Sequence, residues 1–277
     1  MKSVKMKGVF FTAGLLLLAL AVLSASLLIY QSRHNQLSDL TRMIAYQTMG
    51  DEVTAISGGF KSITGSAVAI QVNGNVVSFE EGLPNANAAA FSSAADFWKD
   101  FVWQNSGFDL TLNTTDAKTK LPLIIQPDRA TYTHPNNLGG NSIAVTSASN
   151  VTGYVLDLTL PGGADAGASW TTLNAGSLGF TIYIHAQNQL TESRTLNPAL
   201  ASTLAITQGA NTITIQIGSP SDSGALLVSN PGGIGTTLRT SITLSTSDML
   251  YVTLPEQSIN IKESQYNISR LSALRVG

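Results

Sequence analysis

Residues 8–30 read GVFFTAGLLLLALAVLSASLLIY, twenty-three positions without a charge. A helix rises about 1.5 Å per residue, so this run extends for about 35 Å, enough to cross a hydrocarbon core of about 30 Å. Lys2, Lys5 and Lys7 precede the run, and all seventeen acidic residues follow it. Basic flanks stay on the cytoplasmic side. The expected topology is therefore a single pass, with residues 1–7 in the cytoplasm, residues 8–30 in the lipid bilayer and the remainder outside the cell. The architecture to be explained is a large exported region on one apolar helix.

Composition narrows what that region does. Only 12% of residues are charged and 7% are aromatic. With the three N-terminal lysines set aside, twelve of the fifteen basic residues face seventeen acidic ones, a net charge of −5 with histidines neutral. That balance argues against a nucleic-acid partner, which needs a basic surface. The chain has no cysteine, which excludes a disulfide framework and a thiolate metal site and leans toward a prokaryotic surface protein.

The N-terminus admits three readings. One is a retained signal anchor. A second is a cleaved secretory signal, with residues 15–23 as the apolar core and Ser24, Ala25 and Ser26 as small residues for cleavage, although Leu27, Leu28, Ile29 and Tyr30 prolong the apolar run beyond that point. The third rests on Lys7-Gly8-Val9-Phe10, a basic residue and a glycine abutting the apolar stretch. This motif resembles the class III signal peptide of type IV pilins, especially archaeal pilin-like proteins. The resemblance covers about the first fifty residues. It implies cleavage between Gly8 and Val9, retention of the apolar helix and self-assembly through it. Ala13 stands at the fifth position after that cut, where many bacterial pilins carry a glutamate, and the chain is large for a major archaeal pilin, which points to a minor or pilin-like protein.

Beyond Tyr30 the helical pattern continues. Residues 31–57 contain no proline and one glycine, Gly50. Leu37, Leu40 and Ile44 form one apolar stripe, and Met49, Val53, Ile56 and Phe60 form another at spacings of four, three and four. The two stripes point in different directions, so one partner surface cannot serve both: the helix either packs under its own β domain at the lower end or contacts neighbouring subunits at the upper end. Gly58-Gly59 is expected to end this stalk helix near residue 60.

From residue 61 onward the reading is one β domain. Residues 67–73 and 75–80 flank Asn73-Gly74, a dipeptide suited to a two-residue hairpin turn. Phe91, Ala94, Trp98, Phe101 and Val102 recur at helical spacing and predict one short helix over residues 86–103, its aromatics in the core. Then Leu156, Leu158 and Leu160, Phe180, Ile182 and Ile184, Ile213, Ile215 and Ile217, and Leu250, Val252 and Leu254 alternate with polar neighbours. Each such strand has one buried and one wet face. The fold class expected is mainly β: an antiparallel β-sandwich or jelly-roll-like exported domain on a long N-terminal transmembrane and stalk helix. A parallel sheet is not expected, for want of crossover helices. The glycine-rich loops at residues 161–169 and 229–236 are expected at the tips of the sandwich, either as binding loops or as connections.

No catalytic residues stand out: there is no Gly-x-Ser-x-Gly elbow, no His-Glu-x-x-His helix and no phosphate-binding glycine loop. Glu80 and Glu81 are adjacent on a strand and project to opposite faces, so they are not a catalytic carboxylate pair. His34, His134 and His185 lie at no metal-ligand spacing, and neither metal nor cofactor is expected. For a surface glycan, the candidate contacts are Trp170 beside a glycine-rich loop, Tyr183 and His185 on the polar side of a strand, where a neighbouring strand can add a carboxylate, and Tyr251. Asn113, Asn150 and Asn267 begin Asn-x-Ser/Thr sequons and are candidate N-glycosylation sites. The function expected is a non-enzymatic, structural or adhesive surface protein, pilin-like in type. A membrane-tethered carbohydrate-binding module is the alternative, and a tethered hydrolase stands third.

Overall fold

The structure, a computed structural model, describes residues 3–105, 109–111, 114–246, 248–263 and 268–275. The chain divides into two compact units, Met1–Asp51 with Glu263–Ile268, and Glu52–Lys262 with Ser269–Gly277.

The first unit is dominated by helix α1, which spans Ser3–Ala67 and continues into the second. Within it the large apolar side chains from Leu15 to Tyr30 are 51–70% exposed, and Leu37, Leu40, Met43 and Ile44 are exposed as well. The helix is long and apolar enough to cross a membrane.

In the second unit α1 changes character. Val53, Ile56, Phe60, Ile63 and Ala67, spaced three and four apart, are all buried. The helix does not stop at Gly58-Gly59 as expected but runs to Ala67. Each glycine costs a helix about 1 kcal/mol, whereas a buried Val, Ile or Phe contributes about 1.5–3 kcal/mol, so the apolar face wins. Gly59 marks a close approach: a Cβ there would lie 2.5 Å from Trp98 Cε2.

The β domain follows in chain order: β1 (Ala69–Asn73), β2 (Val76–Leu83), α2 (Ala88–Asn105), β3 (Asp109–Thr111), α3 (Thr115–Lys120), β4 (Leu123–Gln126), β5 (Ala130–Thr133) and β6 (Ser142–Thr146). Then come β7 (Val151–Thr159), β8 (Ala166–Thr172), β9 (Ala175–His185), β10 (Gln189–Leu196), β11 (Ser202–Gln208), β12 (Asn211–Ile217), β13 (Leu226–Ser229), β14 (Thr236–Leu244), β15 (Tyr251–Glu263) and β16 (Ile268–Arg275). One sheet runs β1-β2-β14-β7-β9-β10; the other runs β16-β15-β4-β5-β6-β13-β12-β11-β8, with β3 also on β15. The mainly β, antiparallel-rich sandwich on an N-terminal helix is thus present.

Alternation decides the core. Leu156, Leu158, Phe180, Ile182 and Ile184 are buried from the six-stranded sheet, as are Ile213, Ile215, Ile217, Val252 and Leu254 from the other. The β1–β2 hairpin forms one residue along from the expected turn: Asn73 pairs with Val76, leaving Gly74-Asn75 as the loop. Gly74 carries the positive φ, +59°, as a type II′ turn requires at its first central position.

Two further expectations are corrected. β7 and β9 pair in parallel; the crossover between them is a strand, β8, which lies in the opposite sheet, so no helix is needed. In α2, Phe91 and Ala95 are buried, but Phe97 and Phe101 are 62% and 46% exposed and stack on each other. At about 100° per residue Phe101 sits roughly 80° away from the Phe91 direction, beyond the core-facing stripe. A short helix not foreseen, α3, is tied to α2 by Lys118 Nζ on Asp96 at 2.7 Å.

The two glycine-rich segments are each held by a side-chain amide. Gln208 Nε2 donates to Pro161 O and Ala164 O at 2.9 and 3.0 Å, and β8 already begins at Ala166, within the segment expected to be a loop. The buried Asn230 bridges its own loop, donating to Ile234 O at 2.7 Å and accepting from Ile234 N at 3.2 Å.

Candidate functional site

On β9, Phe180, Ile182 and Ile184 point into the core, so Thr181, Tyr183 and His185 project from the outer face of the six-stranded sheet. The parallel register sets Asp157 beside Tyr183 and Thr159 beside His185. His185 Nε2 and Asp157 Oδ1 are 3.1 Å apart, with side chains 43% and 47% exposed. A pair so open to water contributes little to stability, at most about 1 kcal/mol, but it holds an imidazole and a carboxylate in fixed relation next to a phenol. Tyr183 is itself 43% exposed. On the far side of Asp157 the register places Arg239, whose Nη2 donates to Gln71 Oε1 at 3.0 Å, and then Glu80.

A groove of about 580 Å³ opens on the same sheet, lined by Gly153, Val155, Gly179, Thr181, Ser193 and Thr195 among others. Gly153 and Gly179 are paired in the β7–β9 register, so two adjacent positions of the outer face carry no side chain. The flanking threonines and serine line the gap with hydroxyls. Such a surface can hydrogen-bond a hydroxyl-rich chain; Tyr183 lies two residues beyond Thr181 on the same face of β9, outside the groove's lining.

The other candidates lie elsewhere. Trp170 is on strand β8, not in a loop, and its ring packs edge-on against Phe180 at 5.8 Å. Trp170 Nε1 donates to Glu192 Oε2 at 3.2 Å, and the same oxygen lies 3.2 Å from Arg194 Nη2. Trp170 therefore bridges the edge strands β8 and β10 between the sheets, on the opposite face of β9 from Tyr183. Tyr251 opens β15 and lines a separate depression of about 860 Å³ with Val72, Asn75, Asp248, Met249 and Leu250. The four glycan candidates are thus brought together only as far as Tyr183 and His185. Asn150 is exposed between β6 and β7, its Nδ2 donating to Asp128 Oδ1 at 3.0 Å. Asn113 and Asn267 lie outside the described residues. Gly8 and Val9 lie in α1.

A buried polar cluster was not singled out from sequence. Glu81 and His134 have no exposed side-chain surface, and Glu81 Oε2 lies 2.7 Å from His134 Nε2. Tyr132 donates to Glu81 Oε1 at 2.5 Å, and Asn85 Nδ2 donates to Glu81 Oε2 at 2.8 Å and to Ala67 O at 2.9 Å. His134 Nδ1 faces Lys120 O at 3.3 Å. The two ring nitrogens thus face a carboxylate oxygen and a backbone carbonyl. Burial, and then the Glu81 carboxylate, hold the Tyr132 hydroxyl well above its usual range. Burial likewise pushes up Tyr154, which donates to Gly224 O at 2.6 Å. The cluster joins the end of α1, β2 in one sheet and β5 in the other. Its signal was phase: Glu81 falls in register with the inward Val77, Phe79 and Leu83, and His134 with Ala130 and Tyr132.

No protein-family model, curated protein or solved structure matches this chain.

Proposed function

We propose that the chain is a non-enzymatic, single-pass surface protein of pilin-like type, with a structural or adhesive role and its β domain outside the cell. The observation that carries this reading is that the charge-free residues 8–30 belong to one unbroken helix, α1, whose described apolar side chains there are exposed, while the last turns of that helix are buried in a β domain. Lys2, Lys5 and Lys7 at its head support a cytoplasmic N-terminus. Lys7-Gly8-Val9 supports cleavage between Gly8 and Val9. Intact mass spectrometry of the protein from native membranes tests this: the expected chain begins at Val9. A chain beginning at Met1 is a retained anchor and ends the pilin-like reading; one beginning near Leu27 removes the membrane assignment as well.

A second reading, carbohydrate binding, is favoured by one observation, the exposed Tyr183 beside the Asp157–His185 pair. A glycan array probed with the full chain in nanodiscs tests it. Binding that Tyr183→Ala abolishes supports the reading, and binding that survives this substitution removes Tyr183 from it.

A further inference from the structure

The exposed strand edges of the β domain are not protected alike. β10 carries Glu192 and Arg194, and its register with β9 shifts between Thr195 and Leu196. β8 has a shift in its pairing with β11 and is bridged to β10 through Trp170. Charges, irregularities and covering groups of this kind are how sheet edges avoid further pairing. β1, at the other end of the six-stranded sheet, has neither a charge of its own nor a register shift, and its one charged contact is Arg239 Nη2 on Gln71 Oε1 at 3.0 Å, on the outer face of the sheet. Its sequence is Ala69-Ile70-Gln71-Val72-Asn73, without charge or proline, and its five pairs with β2 run without a break.

The hairpin geometry shows which groups this edge presents. In a two-residue hairpin the residues flanking the loop exchange both hydrogen bonds, so Asn73, Gln71 and Ala69 face β2. The N–H and C=O groups of Ile70 and Val72 then point out of the edge, and no described strand pairs with them there. The side chains tell the same story. Ile70 and Val72 stand opposite Phe79 and Val77, which are fully buried, yet Val72 is 37% exposed. They occupy the inward-facing phase, with Ile70 half-buried and Val72 exposed. The apolar surface continues into the 860 Å³ depression, lined by Val72, Met249, Leu250 and Tyr251, where Met249 is 91% exposed.

We propose that β1 is an assembly edge whose occupant is β1 of a second copy, paired antiparallel about Gln71. The strand is complementary to itself in that register. Ile70 meets Val72 on both sides of the two-fold axis, Ala69 meets Asn73, Gln71 meets Gln71, and no like charges are opposed. The outward groups of Ile70 and Val72 form the hydrogen-bonded pairs, which makes the Gln71 pair a non-hydrogen-bonded one with closely spaced side chains. Such an interface is isologous and closes on itself, so it makes a dimer and not a fibre. Copies held in one bilayer are already concentrated for it. The self-pairing of β1 does not depend on whether the chain begins at Met1 or at Val9.

Because the chain has no cysteine, single substitutions read the register directly. In the full chain in nanodiscs, Gln71→Cys is expected to form a symmetric disulfide on mild oxidation. Asn73→Cys, on the same edge, would hold its two sulfurs about 14 Å apart in this register and is expected to cross-link about tenfold less. Adding Val72→Lys to Gln71→Cys is expected to abolish the cross-link. Equal cross-linking at positions 71 and 73, or a cross-link that survives Val72→Lys, reflects collision and overturns the proposal. Native mass spectrometry of the unsubstituted chain gives a second reading: a dimer that Val72→Lys converts to monomer supports the proposal, and a monomer throughout overturns it. Circular dichroism establishes that each variant retains its β structure.

Discussion

Residues 15–46 of α1 are the more apolar stretch, 20 of 32 against 5 of 11 in residues 53–63, and yet it is the second that is buried. Leu40 is 60% exposed and Met43 73%, whereas Ile56 and Phe60 have no exposed surface. Leu37, Leu40 and Ile44 in the first stretch have the same three-four spacing as Val53, Ile56 and Phe60 in the second, so periodicity does not decide burial; what the rest of the chain offers as a packing partner does. The β domain covers the second stretch. The first is left to a medium outside the chain: lipid for residues 15–30 under the proposed topology, and neighbouring copies for the Leu37, Leu40 and Ile44 stripe under the pilin-like reading.

The sharpest way to break this contrast is Phe60→Ala, expected to cost about 3–5 kcal/mol in denaturant unfolding of the chain in nanodiscs. A cost below about 1 kcal/mol would mean that the buried stretch does not hold the domain. Next, Glu81→Ala is expected to cost about 3–5 kcal/mol by leaving His134, Tyr132 and Asn85 without their shared acceptor, and Glu81→Gln less, since it keeps the shape. The same cluster predicts an alkaline limit. Tyr132 ionises near pH 10 in the unfolded chain and well above it when folded. The stability linked to its protonated form is therefore fully present below about pH 10 and is lost as pH rises toward the folded value. The part of the tyrosinate absorbance that Tyr132→Phe removes should appear together with loss of circular dichroism, not before it.

A smaller and more pointed pair concerns adjacent glycines. Gly59→Ala should destabilise by about 1–3 kcal/mol because its Cβ would fall against the Trp98 ring, whereas Gly58→Ala, with nothing within 4 Å, should stabilise by up to about 1 kcal/mol. Equal effects would show that Gly59 is not an approach site. The smallest effect is expected at Leu40→Ala, within about 0.5 kcal/mol in the same unfolding assay. A loss comparable to that of Phe60→Ala would erase the contrast between the two stretches.

Much of the fold was legible in the sequence because strand alternation is a local signal. Leu156 and Leu158, or Phe180, Ile182 and Ile184, declare a buried face without reference to any other strand. What was missed depended on distant partners. The helix continues past Gly58-Gly59 because Trp98 packs on Gly59 and the domain covers Ile63 and Ala67, a gain that local propensity does not contain. The parallel β7–β9 pair escaped notice because its crossover is a strand in the opposite sheet. At the candidate site, the side of the strand bearing His185 was readable and a neighbouring carboxylate was anticipated, but its identity as Asp157 required the register. Glu81 and His134, 53 residues apart, became partners only once the two sheets faced each other.

The path of β7, β8 and β9 has a kinetic consequence. The chain passes from the six-stranded sheet to the other and back at β8, crosses again to β11–β13, and returns at β14. Neither sheet is continuous in sequence, so neither is an autonomous folding unit, and a truncation from the C-terminal side anywhere between β2 and β14 takes strands from both. Long-range pairings of this kind close late and fold slowly. The domain is expected to unfold as one cooperative block and to tolerate insertions at its exposed turns far better than the loss of any strand.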